Sequence, residues 1–95
     1  MYRRDREDGP EYRIFPSTLP QELIIVPVLQ GLPGETHYRT RESDTRNWGP
    51  VREADAGHQI ILRPVESAVP LKVEITYLDA LGVPRKPRIL EGTPI

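Results

Sequence analysis

Ninety-five residues with 13 basic and 14 acidic side chains and no cysteine make one small domain. Disulfide frameworks, thiolate metal sites and cysteine nucleophiles are thereby excluded, and a net charge of −1 lacks the basic excess of a dedicated nucleic-acid binder. Eleven prolines spread along the chain leave little room for helices, because an interior proline removes a hydrogen bond and clashes with the preceding turn.

Residues 1–11 are charged with mixed signs and hold almost no apolar content. Such a segment cannot bury enough surface to offset its ordering entropy, so a flexible N-terminal arm is expected there. Tyr12-Arg13-Ile14-Phe15 reads as a short strand, and Pro16 and Pro20 predict an extended path through Ser17-Thr18-Leu19. Glu22 to Leu29 is apolar on both faces, as in a strand covered on two sides, although Pro27 cannot donate to a ladder and suggests an edge or a bulge. Gln30 to Gly34 is a turn. Glu35 to Arg41 sets Thr36, Tyr38 and Thr40 against His37, Arg39 and Arg41, which predicts a surface strand with one basic face. Residues 42–56 read as a polar loop around Trp48-Gly49-Pro50, with Glu53 to Ala56 as the only helical candidate.

Gly57 to Val65 is a further predicted strand. The strongest signal is Val69 to Leu78, where Leu71, Val73, Ile75 and Tyr77 alternate with Lys72, Glu74 and Thr76, the period of a half-buried strand. Asp79 to Gly82 then supplies turn chemistry. Val83 to Leu90 returns antiparallel, with Pro84 and Pro87 restricting it to an edge. Short strands separated by turns predict an all-β fold, either a small antiparallel β-sandwich of immunoglobulin-like type or an open β-barrel, with extended termini. The domain spans 12–90, and 91–95 form a tail. Val-Glu-Ile-Thr-Tyr-Leu-Asp-Ala-Leu-Gly, from Val73 to Gly82, resembles hairpins of immunoglobulin-like accessory domains of bacteria and phages. That resemblance implies a sandwich and carries no functional residue across.

No catalytic, cofactor-binding or metal-ligating set stands out. His37 and His58 have no cysteine beside them and no ligand spacing. Ser17, Ser43 and Ser67 lie in no nucleophile motif. Gly31-Leu32-Pro33-Gly34 lacks the lysine and the following helix of a phosphate loop. The best recognition candidate is the cluster Tyr38, Arg39, Arg41, Arg46, Trp48 and Arg52, since arginine beside aromatics anchors protein partners or stacks on bases. Glu42, Asp44, Glu53 and Asp55 interleave with it and weaken any phosphate-attracting field. Arginine outnumbers lysine eleven to two; coding bias is the plainer account, with bidentate interface contacts as the alternative.

The function expected is therefore a non-enzymatic structural subunit acting through protein–protein contact in a larger assembly. A virion component, such as a capsid decoration, connector or tail protein, is one setting. The alternative is a small β-barrel that binds nucleic acid through the arginine and aromatic surface. Other protein subunits, identical or not, are the expected partners; nucleic acid is disfavoured, and no membrane, small-molecule substrate, cofactor or metal is expected. The N-terminus lacks the apolar core of a signal peptide, and the longest apolar run, Leu23 to Leu29, is too short to span a bilayer, so a soluble protein is expected.

Overall fold

The alternating stretch forms the central strand of the larger of two sheets. The computed structural model describes residues 8–19, 21–42, 47–63 and 69–93. Its strands are β1 (Tyr12–Pro16), β2 (Leu23–Pro27), β3 (Glu35–Glu42), β4 (Arg52–Glu53), β5 (Ile60–Leu62), β6 (Leu71–Leu78) and β7 (Arg88–Gly92), with one 3₁₀ turn at Ala56–His58. They make two antiparallel sheets, ordered β1-β2-β5 and β4-β3-β6-β7. No ladder among the described residues joins one sheet to the other, so the fold is a sandwich and the open-barrel alternative falls. The first, second and fifth strands face the third, fourth, sixth and seventh, a small two-sheet β-sandwich. No helix among the described residues is long and apolar enough to cross a membrane.

Leu71, Val73, Ile75 and Tyr77 of β6 point inward and are at most 8% exposed, while Lys72, Glu74, Thr76 and Leu78 on the outer side are half-buried. Leu23 and Ile25 of β2 and Ile60 and Leu62 of β5 come from the facing sheet to complete the core, together with Tyr12. Full burial of each such side chain contributes about 1.5–3 kcal/mol, so these few residues dominate the stability of a domain this small.

Three expectations change. β2 is the middle strand of its sheet, not an edge. Val28 N donates to Glu11 O, so even-numbered residues of β2 bond to β1 and odd-numbered ones face β5. Pro27 is the last residue of β2, and its missing N–H faces β5 at a level where β5 has not begun, so no ladder bond is lost. Pro84 and Pro87 likewise precede β7. The edge position of β7 is as expected, but the strand is free of proline and runs on through Glu91 and Gly92, residues read as tail. Finally, Ser17 to Leu19 does not continue extended. Ser17 N bonds to Glu22 O at 2.9 Å, and Leu19 N bonds to Ser17 Oγ at 3.1 Å, folding the chain from β1 into β2.

Two further segments are described only in part. Among the described residues 57–63, the strand is Ile60–Leu62, because Gly57 and His58 take positive φ values of 75° and 60° in the 3₁₀ turn. Residues 64–68 lie outside the described residues. At the N-terminus the core begins at Tyr12, 7% exposed. Ahead of it, Asp8 bridges to Lys86 in parallel, and Gly9 O accepts Arg88 Nε and Nη2 at 3.1 and 2.7 Å. Residues 1–7 of the expected arm lie outside the described residues.

Candidate protein-contact surface

Strand pleating divides the predicted cluster. On β3, Thr36, Tyr38 and Thr40 face inward, and His37, Arg39 and Arg41 line the outer face of the four-stranded sheet. Register sets Glu74 directly beside Arg39, and Lys72 beside Arg41. Arg39 Nε donates to Glu74 Oε1 at 2.9 Å, with the two side chains 36% and 21% exposed. Arg41 and Lys72 are like charges side by side, which is unfavourable; Glu91, opposite Lys72 on β7, offsets it.

Trp48 reaches this face from the connection between β3 and β4. Gly49 N donates to Thr40 O at 2.8 Å, which folds the connection back along the edge of β3. The indole then lies under both guanidinium groups, its ring centroid 5.0 Å from the Cζ of Arg39 and 5.0 Å from that of Arg41. Each contact is worth about 0.5–1 kcal/mol at an exposed site. The effect is mutual immobilisation of a tryptophan and two long cationic side chains, so little further entropy is lost when a partner meets them.

Tyr38 does not join this group. It packs against the core from the inner face and sits directly opposite Arg52 of β4. Arg52 is exposed at the lateral gap between the sheets, where a cleft of about 350 Å³ is lined by Tyr38, Thr40, Arg52, Ile61 and Arg63. Arg46 lies outside the described residues. The structure thus unites Arg39, Arg41 and Trp48, places Tyr38 and Arg52 together elsewhere, and leaves Arg46 undescribed.

Sequence reading missed the apolar members of this face. Val51 is 64% exposed and Ile89 58% exposed. Val51 lines a shallow groove of about 230 Å³ with His37, Arg39, Glu74, Thr76 and Leu78. Ile89 is opposite Glu74 in register and therefore shares the outer face. Strict alternation along Arg88 to Gly92 would have placed Ile89 there; nothing local flags Val51.

The two histidines part company. His37 Nε2 meets Glu35 Oε2 at 3.1 Å on the outer face. His58 belongs to an inner chain of hydrogen bonds. Its Nε2 is 2.8 Å from Leu32 O, its Nδ1 is 2.8 Å from Thr36 Oγ1, and Thr36 Oγ1 is 2.7 Å from the Tyr12 hydroxyl. A carbonyl only accepts, so His58 donates from Nε2 to Leu32 O. Thr36 Oγ1 thus stands between the Tyr12 hydroxyl and the imidazole. Burial pushes the Tyr12 phenol above its ordinary pKa, against the opposing hydrogen bond from Thr36. The chain ties β1, β3 and the connection after β2 together and explains why His58 is held at positive φ. Tyr77 adds a bond from its hydroxyl to Pro33 O. Among the described residues, no three histidine or carboxylate side chains are grouped to hold a metal ion.

No protein-family model, no curated protein and no solved structure matches this chain.

Proposed function

We propose that this protein is a non-enzymatic interaction subunit of a larger assembly, meeting a neighbouring protein through the outer face of its four-stranded sheet. The supporting observation is Trp48, fixed beneath Arg39 and Arg41, with exposed Val51 and Ile89 elsewhere on the same face. Tryptophan and arginine dominate the energetics of protein interfaces, and they do so best when surrounded by residues that exclude water. Here the Arg39–Glu74 pair and Val51 supply that surround.

Expression of a tagged chain in the source organism tests this. The unaltered protein is expected to recover a protein partner in fixed stoichiometry, and Trp48→Ala to lose it while remaining folded, with a thermal midpoint lowered by no more than about 4–8 °C. Recovery of the same partner by both proteins would remove this face from the contact. A virion is one setting for such a subunit, as decoration, connector or tail protein, and mass spectrometry of purified particles tests that directly. The same indole and guanidinium planes would suit nucleobase stacking, but Glu35, Glu53, Glu74 and Glu91 share the face. Absence of oligonucleotide binding at low salt, where counterion release favours it most, would eliminate that second reading.

A further inference from the structure

At the lateral gap between the two sheets, the edge of β5 stands open. Even-numbered residues of β2 bond to β1 and odd-numbered ones face β5, and the register sets Leu23 opposite Leu62 and Ile25 opposite Ile60. Ile60 and Leu62 therefore exchange their backbone bonds with β2. Ile61 between them turns its N–H and C=O the other way, as alternation in an antiparallel pair requires. At Gln59 this outward side is closed by Asp55, whose N–H donates to Gln59 O at 2.8 Å. Past that point no described strand pairs with β5, and among the described residues the outward N–H and C=O of Ile61 have no partner.

The cleft beside this edge holds donors and no acid. Its walls include Tyr38 and Thr40 from the inner side of β3, Arg52 of β4, and Ile61 and Arg63 on the β5 side, around about 350 Å³. Arg52 is exposed, and its guanidinium has no hydrogen bond or ion pair among the described residues. Its neighbour Glu53 points instead to the outer face, opposite His37. The Tyr38 and Thr40 hydroxyls are likewise without a partner among the described residues, and neither is sealed from solvent. Arg63 uses its Nε on Glu22 and remains 70% exposed. No described carboxylate lines the cleft, and Glu42, the next residue on that side of β3, has a partner of its own. Three unpaired donors and an unpaired strand edge thus border one gap.

We propose that this gap binds an extended, acidic segment of a partner protein by strand addition along β5, with a carboxylate of that segment entering the cleft. In such a mode main-chain bonds supply the hold, and pockets for alternate side chains supply the selectivity. Pleating dictates the pattern. The residue set opposite Ile61 faces outward with it, where Ile24 and Phe15 continue the same apolar row, and the residue next to it in the segment faces the cleft. A carboxylate there receives Arg52 and the two hydroxyls in charge-assisted bonds, which are stronger than neutral ones. Only an extended chain satisfies the backbone edge and the donors together; a compact surface reaches the arginines alone. The contact is separate from the Trp48 face and does not depend on it.

Titration of the isotope-labelled full chain with the capped peptide Thr-Thr-Val-Glu-Val-Thr-Thr, followed by NMR, tests the proposal. The Ile61 amide is expected to shift and to gain protection from hydrogen exchange, with further shifts at Thr40 and Arg52. Glutamine in place of the glutamate should weaken binding about tenfold, and lysine should abolish it. N-methylation along Val-Glu-Val removes the peptide's own backbone donors and should also abolish it. On the protein, Arg52→Ala should weaken binding about tenfold and Tyr38→Phe a few-fold, both with a folded spectrum. No shift at Ile61 with millimolar peptide overturns the proposal. Equal binding of the glutamate and lysine peptides, undiminished binding of the N-methylated one, or shifts confined to the outer face around Trp48 overturn it equally.

Discussion

The outward faces of the two sheets are built from opposite materials. Across the three-stranded sheet, Phe15, Ile24 and Ile61 stand in one register row, with Val26 beside Arg13 in the next. Ile24 is half-buried, flanked in register by Phe15 and Ile61, whose side chains shield it. Across the four-stranded sheet the corresponding row is Arg39, Glu74 and Ile89, bounded by further charges. One face gains stability from apolar contact between its own side chains. The other holds ion pairs that contribute little at such exposure, and its aromatic residue is mounted on cations. The difference teaches that β2 was apolar on both sides for a reason internal to its sheet, while the alternating strands carry the surface free for recognition.

That contrast predicts unequal responses to substitution. The largest is expected at Ile24→Asp, which puts a charge under Phe15 and Ile61 and should cost about 2–3 kcal/mol in chemical denaturation. Thr76→Asp, half-buried on the other face, should cost under about 1 kcal/mol, and equal losses at the two positions would erase the distinction. Next comes Glu22, on the same side of β2 as Ile24. Its side chain is 6% exposed, and its carboxylate accepts Ser17 Oγ at 2.7 Å and Arg63 Nε at 2.8 Å. Glu22→Ala should lose about 1–2 kcal/mol, with Glu22→Gln losing less because one acceptor remains; the difference in urea midpoint reads this directly.

Trp48→Ala on the four-stranded face should lower stability by about 1 kcal/mol or less, while its near-ultraviolet circular dichroism signal disappears and partner recovery fails. The smallest effect concerns acid. Backbone donation from Val83 and Leu81, with Arg85 nearby, holds the Asp79 carboxyl below its ordinary pKa. A carboxyl lowered in the folded state stabilises the protein above the unfolded value, and that contribution is lost as pH falls through the folded one, below about pH 4. Asp79→Asn keeps an oxygen acceptor for both amides. It should therefore leave the neutral-pH midpoint nearly unchanged and flatten only the acidic limb of a plot of midpoint against pH.

How legible was all this from residues alone? β6 was readable to within two residues, because Leu71, Val73, Ile75 and Tyr77 announce both the strand and its buried side. Arg39 and Arg41 were placed on one polar face by the same rule. Tyr38, sorted by that alternation onto the opposite face, was nevertheless grouped with them, as nearness in sequence outweighed pleat parity. Arg52 followed Tyr38 for a reason invisible locally: the register of β4 against β3 sets the two side by side. The prolines misled in the other direction. Presence in an apolar run does not set the effect of Pro27, Pro84 or Pro87; what matters is whether the lost N–H would have met a neighbouring strand.

Local chemistry along the chain therefore settled where strands and turns fall, since pleating and φ preference act over one to four residues. The turn at Asp79–Gly82 and the inward side of β6 are products of that short range. Which strand lies beside which, and so what each outward side chain meets, is a matter of contacts between residues far apart in sequence. The fold-back of the β3–β4 connection brought Trp48 beneath two arginines, and only packing of the two sheets joined Tyr12 to His58 through Thr36. These placements rest on register and on strand direction, neither of which any short stretch of the chain encodes alone.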